Sequence, residues 1–246
     1  MEAVRAAFRD ECARLDAVLR TLTGADLDRP TPCPPWAVRD LVAHVRTGAG
    51  RLVDMLAAPP PPRAEVDAAG YFGTAKFTPE VDAARIDSAR QAARHLADPG
   101  RAGARTGPHH AGPDDARQPA GPAVTAAAFT TAWRATDAAV AAHSAGRLVR
   151  TRHGDPMTLH EFLVTRVVEV GVHGLDLAVA LRREPWLTPT AARVIADLLT
   201  GARPVPVGLG WDRLTLIRRA TGRAPLTDRE REVVAAAGFR WLSFGG

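Results

Sequence analysis

A carboxylate and an imidazole four residues apart, Glu169 and His173, are the strongest indication of chemistry in the sequence. Positions i and i+4 lie on the same face of a helix, so the two side chains can bind one metal ion. Arg166 and Asp176 extend this polar stripe along a predicted helix, residues 158–183, that is otherwise apolar. Burying such a stripe without partners is unfavourable, and a metal is one partner that relieves the penalty. A solvated or simply hydrogen-bonded pair has the same spacing.

His44 is the candidate for a third ligand. It lies in a second predicted helix, residues 36–57, among apolar neighbours. Asp40 precedes it by one turn and is expected to orient it, because ligating histidines usually donate their other N–H to a carboxylate. The alternative is a core histidine bonded to a carboxylate. Two histidines and one carboxylate make a catalytic type of site with an open position, which suits zinc, with iron, nickel or manganese as alternatives.

Three polar side chains near these ligands are candidates for supporting roles, either by holding the ligands or by stabilising the helix packing. They are Asp40, Arg166 and Asp176. No catalytic residue beyond the metal site is predicted. Cys33, which lies between prolines without an evident base nearby, is expected to pack rather than to act as a nucleophile.

Composition is that of an ordinary globular protein, with 46% hydrophobic and 24% charged residues in a chain of 246. No apolar run is long enough for a membrane span, and the first residues lack the apolar core of a signal peptide, so a cytoplasmic protein is expected. The two cysteines, Cys12 and Cys33, fit a reducing compartment. The net charge is +5, but arginines alternate with acids, so we interpret the basic excess as solvated helix faces and expect no nucleic-acid partner.

Apolar residues at helical spacing predict an all-α four-helix bundle, residues 1–183, followed by a helical C-terminal extension, residues 184–246, that packs on it. Strand signals are scarce. A long crossover, residues 59–122, joins the second helix of the bundle, 36–57, to the third, 123–145. It holds one weaker helix and a glycine- and proline-rich excursion. The predicted helices span residues 2–23, 36–57, 79–97, 123–145, 158–183, 188–200, 210–220 and 227–237.

Two segments resemble the signatures of the mycothiol-dependent maleylpyruvate isomerase family. They are 31–44, which reads TPCPPWAVRDLVAH, and 166–177, which reads RVVEVGVHGLDL. A third segment, 220–227, resembles a C-terminal stretch of many members. The resemblance covers most of the chain outside the crossover. It implies a DinB-like four-helix bundle with a metal at one end of the bundle.

The resemblance also implies the ligands and the reaction. Carried over to this chain, the ligands are His44, Glu169 and His173. Mycothiol would be the thiol cosubstrate, and it would attack a small electrophilic substrate in a cis–trans isomerisation of a conjugated double bond or in an S-transfer. The alternatives are a non-catalytic, metal-stabilised bundle that binds a small ligand, and a purely structural fold. The expected protein is a monomer or homodimer. The actinobacterial setting of mycothiol agrees with an arginine-rich sequence in which Lys76 is the one lysine.

Overall fold

The computed structural model describes residues 1–72, 79–96 and 120–237. Most of the predicted glycine- and proline-rich excursion and the last nine residues of the predicted extension lie outside the described residues. In chain order the elements are α1 (Glu2–Leu19), α2 (Gly24–Leu27), α3 (Val38–Gly50), α4 (Leu52–Ala57), α5 (Ala68–Tyr71), α6 (Pro79–His95), α7 (Pro122–Ala141), β1 (Leu148–Arg150), β2 (Pro156–Thr158), α8 (Leu159–Leu181), α9 (Pro189–Thr200), a 3-10 turn (Val207–Leu209), α10 (Arg213–Ala220) and α11 (Asp228–Ala237).

Helices α1, α3, α7 and α8 form a four-helix bundle, in which α3 packs on α7 and α8, and α1 packs on the same two helices. Helix α8 is buried on nearly every side, as its run of valines and leucines predicts. Large side chains from all four helices are fully buried in one core, among them Phe8, Leu41, Phe129 and Leu163. The predicted all-α fold is confirmed.

The predicted helix over residues 36–57 is divided in the structure. It begins two residues later, at Val38, and is interrupted at Arg51, although the Arg51 backbone keeps right-handed helical angles. Glycine is a weak helix former, and Gly48 and Gly50 both lie within the last three residues before the interruption. Helix α6, from the predicted crossover, packs along α3. The crossover therefore contributes a wall beside the helix that carries His44.

A two-stranded antiparallel sheet was missed in the sequence analysis, as were the short helices α2 and α5. Strand β1 pairs with β2, with Val149 opposite Met157. Strands of three residues are too short to show the alternation that identifies a strand, and Pro156 argues against one. The hairpin leads directly into α8, where the Thr158 side chain caps the helix by accepting from the backbone N–H of Glu161.

The C-terminal helices pack onto the bundle in sequence: α9 lies against α1 and α8, and α10 lies against α9. A capping box begins α11: the Thr227 hydroxyl accepts from the Glu230 N–H, and the Glu230 carboxylate accepts from the Thr227 N–H. The division of the chain at residue 183 stays a prediction. Within the described residues, no helix combines the length and the hydropathy that a membrane span requires.

Candidate metal centre

Three predicted ligands, His44, Glu169 and His173, come together between α3 and α8. Nε2 of His44 lies 2.5 Å from Oε1 of Glu169, and Nε2 of His173 lies 3.7 Å from the same oxygen. One donor atom from each residue lies within 4.8 Å of the other two. The two imidazoles meet edge to face, with ring centres 5.2 Å apart. This convergence is what a three-ligand metal site requires.

The charge states of these groups suit a cation. Burial lowers the pKa of His44 and outweighs the opposing effect of Glu169, so the imidazole is neutral at pH 7. Burial alone would raise the pKa of Glu169, but the hydrogen bond with His44 and the positive charge of Arg166 contribute to holding it well below its usual range. A neutral imidazole and an ionised carboxylate are the forms that bind metals. The donor set therefore fits a divalent ion such as zinc.

Asp176 orients His173 from behind. Nδ1–H of His173 donates to Oδ2 of Asp176 over 2.9 Å, and this leaves Nε2 facing Glu169. The Asp176 side chain is only 1% exposed. Burial by itself would raise its pKa, but hydrogen bonds from His173 and Arg223 lower it, so Asp176 is a carboxylate. A histidine held by a carboxylate in this way is typical of metal ligands.

The same carboxylate receives two further donors. Arg223 donates from Nε to Oδ1 over 3.0 Å and from Nη2 to Oδ2 over 2.8 Å, and the Cys33 thiol donates to Oδ2 over 3.3 Å. Burial is the main reason that the pKa of Cys33 is raised to about 12, so the thiol stays protonated. Cys33, His173 and Asp176 are close enough to form a second possible metal group. The Arg223 guanidinium already occupies both Asp176 oxygens, so we favour the first group.

Asp40 makes a different contact from the one expected. The Asp40 carboxylate accepts from the Ala37 N–H over 3.1 Å and so closes the start of α3. No bond to His44 accompanies this contact among the described residues. The expected orienting role of Asp40 is therefore wrong, because its carboxylate instead accepts from an N–H at the helix start that has no partner within the helix.

Arg166 is almost fully buried and stands beside the cluster. Its Nε donates to the Thr165 hydroxyl, and its guanidinium lies 4.7 Å from the Phe162 ring centre. A Cβ at position 48 would come within 3.1 Å of Nη1, so Gly48 permits this close approach. The Arg166 charge also contributes to the low pKa of Glu169. It supports the centre through charge and packing.

Trp36 forms a side wall of the candidate metal centre. The sequence predicts this residue as the first of the helix over 36–57. The residue precedes α3, and its ring lies 4.7 Å from the His44 ring, with the planes tilted by 34°. The same indole lies 6.5 Å from the His173 ring. An aromatic residue directly after the proline run is the only sequence signal of this contact. This contact restricts the orientation of the His44 ring.

A cavity of about 620 Å³ opens onto the cluster. Its walls come from α3, α6, α8, the turn of the hairpin and the C-terminal extension. Glu169 and Asp176 are the two carboxylates among the described residues that line it, against six arginines: Arg51, Arg85, Arg152, Arg166, Arg218 and Arg223. Part of the basic excess thus faces the cavity instead of bulk solvent. An arrangement of this sign attracts anions.

Fold and site together define a class of protein: a helical bundle with two histidines and a glutamate at the base of a cationic cavity. A family model described as the mycothiol maleylpyruvate isomerase N-terminal domain matches residues 8–107 and 87–178. These matches together cover more than half of the chain. The chain belongs to this family, which confirms the resemblance of the two signature segments.

Two solved structures are similar to the chain. They are the crystal structures of the mycothiol-dependent maleylpyruvate isomerase and of a variant with one histidine replaced by alanine. Each is 16% identical in sequence, with a TM-score of 0.48, and the similarity covers 81% of this chain and 69% of the other. A comparison with curated proteins found no match. Residues 179–246, which include Arg223, lie beyond the family match.

Proposed function

We propose that this chain is a metal-dependent enzyme that uses mycothiol as its thiol cosubstrate and acts on a small electrophilic substrate. The convergence of His44, Glu169 and His173 at the base of a cavity, in a chain of this family, carries the proposal. Zn²⁺ is the ion that we expect, since two imidazoles and a carboxylate suit it. When bound, it would lower the pKa of a thiol in the open position, so that a thiolate exists near neutral pH.

The side chains around the cluster would keep this position ordered. Asp176 holds Nδ1 of His173, so the Nε2 lone pair faces the ligand position. Trp36 covers one face of His44 and restricts its ring. The three ligand side chains line the cavity and are only 15 to 17% exposed. Ordered ligands of this kind reduce the reorganisation that a reaction requires.

The arginines of the cavity favour an electrophile that carries a carboxylate. Arg51 is half-buried, and burial together with the charges of Arg152 and Arg166 lowers its pKa. Within the described residues its guanidinium has no ion pair or hydrogen bond. Arg166 lies beside the Glu169 carboxylate, whereas Arg51 has no such partner among the described residues. An anionic ligand, for which arginine provides paired donors, would best neutralise the charge at Arg51.

Two reactions fit such a site. In both, the mycothiol thiolate forms an S–C bond with the electrophilic carbon. If that carbon belongs to a conjugated double bond, the electron pair moves onto the conjugated group, the former double bond rotates, and the S–C bond breaks again to release thiolate and isomer. If a leaving group departs with its electron pair instead, the product is an S-conjugate.

One assay distinguishes the two reactions and tests the proposal. Zinc-reconstituted protein is incubated with mycothiol and either maleylpyruvate or an alkyl halide that bears a carboxylate, and both product and free thiol are measured. Isomerisation leaves the thiol concentration unchanged, whereas S-transfer consumes one thiol per product. His44→Ala should reduce either rate by roughly a hundredfold or more. His143→Ala, whose ring bonds the Ala139 carbonyl away from the cavity, should not.

The contrary result is also informative. The enzymatic proposal fails if neither electrophile reacts faster with the zinc-reconstituted parent than with zinc-free His143→Ala protein. Saturable binding of the carboxylate compounds without turnover would then favour the alternative of a metal-stabilised ligand-binding bundle.

A further inference from the structure

A chain of three side chains connects the C-terminal extension to the candidate metal centre. Arg223 donates to both oxygens of Asp176, and Asp176 accepts from His173. We propose that Arg223 is a positioning residue for the metal centre, which fixes the Asp176 carboxylate and, through it, the His173 ring. The inference rests on the proposed function, because it requires His173 to be a metal ligand.

The end of α10 places Arg223 at this position. The Gly222 backbone has a left-handed φ of +73°, which glycine adopts without strain. The Gly222 N–H donates to the Arg219 carbonyl, and the Arg223 N–H donates to the Arg218 carbonyl over 2.7 Å. These two bonds form a Schellman motif, which turns the chain back at the end of a helix. The guanidinium is held further, because its Nη1 donates to the Thr221 carbonyl over 2.6 Å.

The bidentate contact is what restricts Asp176. A carboxylate held by one donor can rotate about its last bond, whereas two parallel bonds from one guanidinium define its plane. Asp176 and Arg223 are 1% and 18% exposed, so water competes little for these bonds. The Oδ2 atom that accepts from Arg223 also accepts from Nδ1 of His173. The orientation of the carboxylate therefore determines the orientation of the imidazole.

Arg223 also keeps a competing site closed. Cys33, Asp176 and His173 present donor atoms close enough for a cation. A guanidinium on both Asp176 oxygens places a positive charge where that cation would bind, so it favours binding on the Nε2 side of His173. The C-terminal extension lies beyond the residues that the family model matches, whereas the three ligands lie within them. By this reasoning, the extension completes the metal centre.

Metal affinity and geometry test the inference without an activity assay. Zinc affinity is measured on the full chain by competition with a chromophoric chelator, and the cobalt-substituted protein is examined by visible absorption. Arg223→Ala should weaken zinc binding by about ten- to a hundredfold, the usual effect of losing a partner of a ligating residue, and should change the cobalt spectrum. Arg223→Lys should recover part of the loss, because it retains the charge but not the paired donors.

Arg219→Ala is the matched control. Arg219 lies in α10 of the same extension and pairs with Glu230, away from the cavity. It should leave zinc affinity and the cobalt spectrum unchanged. The double variant Arg223→Ala/Asp176→Asn should bind zinc about as weakly as Asp176→Asn alone, since both changes interrupt one chain of contacts.

Each remaining outcome has a defined meaning. If the parent binds zinc and Arg223→Ala binds it equally well with the same cobalt spectrum, the positioning role is wrong while the proposed function stands. Equal losses in Arg223→Ala and Arg219→Ala would also overturn it, by showing that general packing of the extension is responsible. If Arg223→Ala does not fold, Arg223→Lys is compared with the parent by the same criteria. A parent that binds no zinc would overturn both proposals.

Discussion

Arg51 is the residue through which the charge of the cavity can be tested. Its half-buried guanidinium lacks a bonded partner among the described residues, and its neighbours Arg152 and Arg166 repel it. A carboxylate on the substrate would relieve this repulsion. We therefore expect Arg51→Ala to raise KM for a carboxylate-bearing electrophile by roughly tenfold, as for the loss of a charged hydrogen bond. The change in kcat should be smaller.

Steady-state kinetics with paired substrates make this prediction specific. The neutral amide of the same electrophile should show little change in KM on Arg51→Ala. Arg39→Ala serves as the control, because Arg39 lies in α3, which ends next to Arg51, but pairs with Asp28 outside the cavity. An equal rise in KM for the acid and the amide would argue against a carboxylate contact at Arg51.

The three candidate ligands could be predicted individually because each carries a local signal. Glu169 and His173 have helical spacing in an apolar helix, and His44 lies in a second helix that must face the first. The contact between Arg223 and Asp176 could not be predicted, since it joins residues 47 positions apart and depends on where α10 ends. The expected contact between Asp40 and His44 was wrong for a related reason. Helical spacing permits it, but capping of α3 takes the carboxylate.

Helix α8 connects the core of the bundle to the extension through Asp176, and this link should depend on pH. The folded-state pKa of Asp176 is lowered, so its contribution to stability is present above the unfolded value of about 4 and is lost as the pH falls below it. In metal-free protein, Asp176→Asn should cost about 3 kcal/mol at pH 7, because Arg223 is left without its counter-charge. The difference from the parent should shrink as the pH falls from 5 to 3.

Denaturant unfolding of the chelator-treated proteins across this pH range measures the effect. Asp228→Asn is the control, since Asp228 forms an exposed pair with Arg231 and is expected to change stability little at any pH. A cost for Asp176→Asn that is constant between pH 7 and pH 3 would contradict the assigned ionisation of Asp176.

The elements of the fold differ in how far the sequence predicts them. The bundle helices bury long amphipathic or apolar faces, so their periodicity identifies them and leaves errors of only a few residues at their ends. The hairpin could not be found, because its strands are three residues long and one begins with Pro156. That omission concealed the turn that brings Arg152 and His153 to the cavity.

At the scale of the whole molecule, the basic excess has a different meaning from the one that composition suggests. Acids and arginines alternate along the chain, which favours solvated helix faces. Folding nevertheless gathers arginines from the junction of α3 and α4, from α6 and α8, from the hairpin and from the extension around one cavity. Charge counted along a sequence cannot show this, because the arginines come from segments that are distant in the chain.

The central claim is that the bundle holds one divalent metal at His44, Glu169 and His173. The most direct test is elemental analysis of protein purified without chelators, with His44→Ala and Glu169→Ala compared at equal folded concentration. We predict close to one equivalent of zinc in the parent and its loss in both variants, because two donors of the set bind an ion weakly. A parent that contains no metal after reconstitution, or variants that retain the full equivalent, would contradict the account.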